Sequence, residues 1–140
     1  MIKQDTDRVA RNEQSLMNIQ DHIRTAHDFL EAADREFAEG DDLQASEKLW
    51  GAASHAVMAV AQQHGWPYGS HRAMKAVTRR LAETHDDPFL LGGFAFAEKF
   101  HANFYHDFME DFDLEGDRPL VRDFVHRVIA LLPNNGDRPS

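Results

Sequence analysis

Four side chains that could do acid–base chemistry or form hydrogen bonds lie close together in segment 98–113. They are His101, Asn103, Tyr105 and His106, and phenylalanines recur around them at helical spacing. Asn103 and His106 are three residues apart and share a helix face, whereas His101 and His106, five apart, point about 140° away from each other. This predicts a catalytic face of His106 and Asn103, with His101 beside it, acting as acid, base or phosphate contact. The alternative is that these groups satisfy hydrogen bonds at a bundle edge and set the helix register.

Metal binding is a further possibility, because the chain has nine histidines and imidazole is a common metal ligand. Helical bundles build di-iron sites from two Glu-x-x-His pairs and two further glutamates. Glu98 and His101 have this spacing. The nearest second pair, Asp123 and His126, is predicted to face solvent, and Glu47 is one candidate for an inward carboxylate. No fourth ligand emerges, so we predict no metal site and no cofactor, and a metal-binding bundle ranks third among the functions considered.

A basic surface is predicted at the start of one helix. Ser70 is a helix-capping residue, and His71 and Arg72 follow it directly. Backbone N–H groups and the helix dipole favour an anion at such an end. The same helix carries three more basic residues, Lys75, Arg79 and Arg80. The pattern predicts an anion- or nucleotide-binding surface, and its alternative is a capped helix with a solvated basic face.

Two other features have plain structural interpretations. Trp50 and Trp66 are predicted to pack in the core and at a helix end, although an exposed indole would be able to stack on a base. The acidic run 110–117 lacks the spacing of a calcium-binding loop and is predicted to be a solvated loop.

Composition narrows the function classes. The 140 residues suit one domain, and 42% of them are hydrophobic, enough to fold around a core. A net charge of −9 opposes general binding to nucleic acid. With no cysteine, disulfides and thiolate catalysis are excluded. The N-terminus shows no signal peptide and no apolar run is long enough to cross a membrane, so we expect a cytoplasmic protein without a membrane partner.

Apolar periodicity and capping signals predict helices only. An apolar seam runs from Leu16 to Phe37 and is stopped by Gly40, after which Asp41 and Gln44 begin an alanine-rich helix. That helix ends at Gly65. Three further helices follow: one after Ser70, one over 89–109 with an apolar stripe of Ala97, Phe100, Phe104 and Phe108, and one opened by Asp117 and Pro119.

These helices predict an all-α fold, a single antiparallel, up-and-down bundle of four to five helices. The predicted bundle covers residues 16–133. Residues 1–15 are predicted to be a polar N-terminal extension, and residues 134–140 a polar tail.

Four segments together resemble the HEPN (higher eukaryotes and prokaryotes nucleotide-binding) superfamily. They are residues 47–56, Gly65-Trp66, Ser70-His71-Arg72 and residues 99–106. Within the superfamily the chain is most similar to the branch of archaeal paralogous-repeat proteins, over about residues 20–132. The resemblance implies a bundle of four or five helices that is usually a homodimer. Members of the superfamily include ribonuclease toxins and partners of minimal nucleotidyltransferases.

The resemblance also implies a catalytic pattern that this chain matches only in part. Catalytic members carry an arginine, four to six residues, and then a histidine, and two subunits pair these motifs in one cleft. His106 fits the histidine position, but His101 and Lys99 stand where an arginine would be needed. Neither replaces a bidentate guanidinium, although Lys99 would serve as a weaker phosphate contact.

Two functions follow. We predict a HEPN-like dimer that binds nucleotide or protein, within a toxin–antitoxin or stress-response pair or with a nucleotidyltransferase-type partner. The alternative is a metal-independent ribonuclease or nucleotide-directed hydrolase with a composite site around His106 at the dimer interface.

Overall fold

The computed structural model describes residues 17–133. In this range the chain forms α1 (Ile19–Ala38), α2 (Asp42–His64), α3 (His71–Thr84), α4 (Phe89–His106) and α5 (Asp111–Ala130), and no strand. The predicted all-α bundle is confirmed. The predicted polar extension 1–15 and tail 134–140 lie outside the described residues.

Helix α2 is the centre of the bundle and packs against each of the other four helices. It can do so because small side chains cover most of its circumference: Ala45, Ser46, Ala52, Ala53, Ser54, Ala56, Ala59 and Ala61 are all buried. Gly51 allows the closest approach, since a Cβ atom there would lie 2.7 Å from the ring of Phe29 on α1. The small residues of α2 thus determine how tightly the bundle closes.

The helix ends predicted from local signals in the first half of the chain are present. Gly40 has a φ of +83° and Gly65 a φ of +72°, the left-handed conformation that glycine adopts most readily. Asp41 accepts a hydrogen bond from the N–H of Gln44 at 3.3 Å, and Ser70 accepts one from the N–H of Ala73 at 3.0 Å. Helix α1 begins after Asn18, which accepts from the N–H of Asp21 at 2.8 Å.

The boundary between the last two helices differs from the prediction. Helix α4 ends at His106 rather than Met109, because Asp107 takes a φ of +48°. Helix α5 begins at Asp111, so Pro119 lies inside it and does not open it. The acidic run 110–117, predicted to be a loop, instead forms the start of α5, where carboxylates in the first turn interact favourably with the helix dipole.

The apolar stripe of α4 changes accordingly. Ala97 and Phe100 are fully buried as predicted, but Phe104 is only half-buried and Phe108 is 48% exposed. Asn103 takes the next inward position and is 1% exposed. None of the helices in the described range is long and apolar enough to cross a membrane.

A pair of histidines, His22 buried and His55 half-buried, joins α1 to α2. The Nδ1 atoms of His22 and His55 are 2.9 Å apart, and His22 is only 4% exposed. The Nε2 atom of His22 has no hydrogen-bond partner within residues 17–133. At the buried Nε2 position, an unprotonated ring nitrogen without a partner costs less free energy than an N–H group without an acceptor. We therefore assign the proton of His22 to Nδ1, which donates to Nδ1 of His55. Burial lowers the pKa of both histidines, and the neighbouring His22 lowers that of His55 further.

This pair predicts that the protein loses stability as the pH falls. The folded-state pKa values of His22 and His55 lie below the unfolded value of 6.5, so stability is full above pH 6.5 and is lost below it. Between about pH 7.5 and 5.5 the free energy of unfolding should fall by about 1 kcal/mol more in the wild type than in His55→Gln, whose amide oxygen can still accept the hydrogen bond. Urea unfolding at both pH values measures this.

His85→Gln is the matched control, because His85 is exposed. Some pH dependence will persist in every variant, since burial and the nearby His27 also lower the pKa of His126. Equal pH dependence in wild type and His55→Gln would contradict the assignment.

Candidate functional site

The predicted site residues lie in three separate places. One is a cluster of rings and carboxylates around Trp50, the second is a groove along α3, and the third is the corner between α4 and α5. The cluster contains His71 and His101; the groove contains Ser70 and Arg72; the corner contains Lys99, Asn103 and His106.

The Trp50 cluster (Glu47, Trp50, His71, Glu98 and His101) draws on α2, α3 and α4. The indole ring stacks on His101 with centroids 4.8 Å apart and contacts His71 at 4.9 Å. The two imidazole centroids are 6.4 Å apart. The three ring centroids therefore form a triangle. The two imidazoles lie next to each other and do not cover opposite faces of the indole.

Each imidazole of the Trp50 cluster has its own carboxylate. His101 Nδ1 lies 2.7 Å from Glu47 Oε1, and His71 Nε2 lies 2.6 Å from Glu98 Oε2. A carboxylate holds the ring N–H toward itself and leaves a lone pair on the other nitrogen. His101 thus presents Nε2 and His71 presents Nδ1 as bases, and both side chains are partly exposed, at 30% and 45%.

The pairings differ from those needed by the metal alternative. Glu98 contacts His71 and, at 3.7 Å, Lys75, while His101 contacts Glu47. Asp123 is bound by Arg127 at 3.1 Å. Across residues 17–133, no group of three or more His, Asp or Glu side chains is arranged to hold a metal ion.

A groove with a volume of about 310 Å³ runs along α3, and we call it the α3 groove. It is lined by Trp66, Pro67, Ser70, Arg72, Ala73, Ala76, Val77 and Arg80. Its floor is apolar. The guanidinium of Arg80 lies 4.1 Å from the centroid of the Trp66 ring, a cation–π contact, and His64 stacks on the same indole at 4.2 Å. Trp66 thus forms part of the groove lining as well as packing at the end of α2.

The arginines of α3 differ from most cations in the structure. Lys48, Lys99, Arg118, Arg122 and Arg127 form ion pairs with carboxylates of other helices or loops, and Arg24 pairs within α1. Arg72, Arg79 and Arg80 are exposed and pair with no carboxylate among residues 17–133. In this range only Arg35 shares that condition. Free positive charge is therefore concentrated on one helix of a chain whose net charge is −9.

The side chain of Asn103 forms its hydrogen bonds with other groups inside the bundle. Its Oδ1 accepts hydrogen bonds from the N–H groups of Phe108 and Met109, both at 2.8 Å, and its Nδ2 donates to Ser46 Oγ at 3.1 Å. The side chain fixes the connection that follows α4 and ties α4 to α2. No hydrogen-bonding capacity directed at solvent is left, since the residue is 1% exposed.

The other two predicted residues at this corner, Lys99 and His106, do not lie on a common face with Asn103. Lys99 Nζ lies 2.9 Å from Asp117 and 3.9 Å from Asp113, and its hydrogen bond to Asp117 raises the pKa of Lys99. His106 is exposed on the last turn of α4, whereas Asn103 points into the bundle. Within one subunit the predicted face of Asn103 and His106 is not assembled.

Sequence reasoning missed the pairing of His71 with Glu98 and the contact of Arg80 with Trp66. Both join residues of different helices or loops, and no spacing within one helix reports on them. The pair of Glu98 and His101 was suggested by spacing, but each finds a closer partner on another helix.

These buried hydrogen bonds predict that Asn103→Ala destabilises the fold. The substitution removes the partner of two backbone N–H groups and the donor to Ser46, which should lower the free energy of unfolding by about 2–3 kcal/mol. Urea unfolding measures it against His106→Ala, which should stay within about 0.5 kcal/mol of wild type because His106 is exposed. Similar stabilities of the two variants would refute this structural role of Asn103.

Comparison with known proteins bears on the fold and the family. A crystal structure of a protein from Sulfolobus solfataricus matches with a TM-score of 0.69 and 17% sequence identity, covering 78% of this chain and 97% of that chain. At this identity the likeness shows the fold alone. No curated protein matches the chain. A sequence model of the archaeal PaREP1/PaREP8 family matches residues 21–125. The predicted similarity to archaeal paralogous-repeat proteins is confirmed, and the chain belongs to the archaeal PaREP1/PaREP8 family.

Proposed function

We propose that the protein is a HEPN-like binding module that binds a nucleotide through the α3 groove. The observation that carries this proposal is the position of Arg72 and Arg80, two arginines without a carboxylate partner among the described residues, beside an apolar groove lined by Trp66. Arginine that is not neutralised by the protein is available to an external anion.

The chemistry of the groove suits a phosphate attached to a flat, partly apolar group. Ser70 begins α3, so N–H groups at the helix N-terminus and the guanidinium of Arg72 lie at the same end of the groove. Both favour phosphate, and guanidinium binds it bidentately. Val77 and the part of the Trp66 ring that Arg80 and His64 leave uncovered supply an apolar surface for a base. A volume of about 310 Å³ is at the lower limit for small-molecule sites, which favours a mononucleotide.

Binding rather than catalysis is also supported by the residues that the catalytic pattern would need. Asn103 is buried in hydrogen bonds, and Lys99 is held by Asp117. The charge of −9 weighs against a long RNA chain, whose phosphates would meet a repulsive field outside α3. A homodimer, a nucleotidyltransferase-type partner, a toxin–antitoxin or stress-response setting and a cytoplasmic location are the expectations that accompany this proposal.

Nucleotide binding should depend on the two arginines of the groove. Titration of fluorescently labelled ATP followed by anisotropy should give a dissociation constant that rises about tenfold in Arg72→Ala and in Arg80→Ala, as expected for loss of one charge-assisted contact. The affinity should also fall with added salt.

Arg35→Ala is the matched control, because Arg35 is exposed and unpaired among the described residues but lies on α1. Its affinity should stay within about twofold of wild type. Equal effects of all three substitutions would mean that ATP binding depends only on the overall charge of the protein. If the wild type did not bind ATP, the proposal would be refuted.

The two histidine–carboxylate pairs favour hydrolysis of a phosphate ester as a second candidate function. His101 Nε2 would accept a proton from the attacking water while Glu47 holds its ring, and His71, in its protonated imidazolium form, would give its Nδ1 proton to the leaving oxygen as the phosphorus–oxygen bond breaks. In this second candidate the catalytic residues come from three helices of a single subunit, whereas the site predicted around His106 needs two subunits.

Activity measurements on single variants separate the two catalytic arrangements. In an assay of RNA cleavage and ATP hydrolysis, His101→Gln should lower turnover by about 100-fold, the lower limit for loss of a general base, while His106→Ala retains it. Thermal melting would check that each variant folds. The reverse order would point to His106, and absence of turnover in the wild type would exclude the second candidate.

A further inference from the structure

Three large aromatic side chains are exposed at the corner between α4 and α5. Tyr105 is 65% exposed, Phe108 is 48% exposed and Phe112 is 74% exposed. They lie on the last turn of α4, in the connection and on the first turn of α5. We call these three residues the aromatic corner. Among residues 17–133 the other large exposed apolar side chain is Leu91, at 46%.

The aromatic corner is held rigidly by groups beneath it. Asn103 accepts hydrogen bonds from the N–H groups of Phe108 and Met109, and the Met109 side chain is buried. On α5, Asp113 accepts from the N–H of Glu110 at 2.9 Å. Lys99 bridges α4 to α5 through Asp113 and Asp117. The rings are therefore displayed on a fixed backbone, which lowers the entropy cost of binding a partner.

The surroundings of the aromatic corner are strongly acidic. Four exposed carboxylates lie between or just after the rings: Asp107, Glu110, Asp111 and Glu115. None of them forms an ion pair with another described residue. Unpaired negative charge therefore surrounds the three rings, whereas unpaired arginine lies mainly on α3.

We propose that the aromatic corner is a docking surface for an arginine-rich segment of another protein. Guanidinium groups can pair with the carboxylates and stack on phenylalanine and tyrosine faces at the same time, which neither a lysine nor an apolar side chain does as well. The unpaired acids repel RNA and anionic membranes. They also oppose a second copy of this chain meeting the same corner, because like charges would face each other across the interface.

A labelled peptide tests this surface on the intact protein. A fluorescein-labelled arginine-rich peptide should bind in an anisotropy titration, and the same peptide with every arginine replaced by lysine should bind more weakly. Phe112→Ser and Phe108→Ser should each weaken the arginine peptide about tenfold, as expected for a central aromatic contact. Leu91→Ser is the matched control for loss of an exposed apolar side chain and should leave the affinity unchanged.

Charge is tested by a pair of double variants with the same net charge. Asp107→Asn with Asp111→Asn should weaken binding at least about fivefold, whereas Asp28→Asn with Glu83→Gln, at exposed positions elsewhere, should leave it within about twofold. Equal losses in both would show general attraction to a −9 chain and would overturn the proposal. It would also be overturned if Phe112→Ser left peptide binding intact but converted a dimer to a monomer in light scattering. The proposal would likewise be overturned if the wild type bound RNA and the substitutions in the aromatic corner abolished that binding.

Discussion

The whole bundle depends on the close packing of four helices against α2. Most buried residues of α2 are alanine or serine, so that α1, α3, α4 and α5 all reach its surface. A second close approach, between Gly93 and Phe124, brings α4 against α5, since a Cβ atom at Gly93 would lie 2.7 Å from the Phe124 ring. Larger residues at these positions would push the helices apart, and the Trp50 cluster, which needs α2, α3 and α4 together, would not form.

Packing around α2 also explains why polar residues that look alike in the sequence have different fates. Asn103 faces α2 and is buried with its hydrogen bonds made inside the bundle, while His106, one turn later, is exposed. His71 turns toward Trp50 and Glu98, while the adjacent Arg72 turns toward the groove. Because neighbouring positions on a helix point to different faces, α3 contributes to two candidate sites at once.

Much of the fold could be predicted because its determinants are local. The caps at Asp41 and Ser70 and the left-handed glycines Gly40 and Gly65 each act within a few residues. The predicted start of α5 at Asp117 and Pro119 was wrong because Pro119 imitates a helix start, whereas the helix begins at the capping residues Glu110 and Asp113, which are also close together in the sequence. The buried position of Asn103 could not be read in this way, because its Nδ2 donates to Ser46 Oγ, 57 residues away. The candidate sites were predictable only as residue types, since the pairings of His101 with Glu47 and of Arg80 with Trp66 join different parts of the chain.

The two tryptophans of the chain report on the two candidate sites separately, since Trp50 lies in the histidine cluster and Trp66 in the α3 groove. A titration of ¹⁵N-labelled protein with ATP, followed by NMR through the two indole N–H resonances, therefore tests most directly whether the groove is the binding site. Binding in the α3 groove predicts a saturable shift of the Trp66 resonance while that of Trp50 stays in place. A shift of Trp50 alone, or of neither resonance, would contradict it.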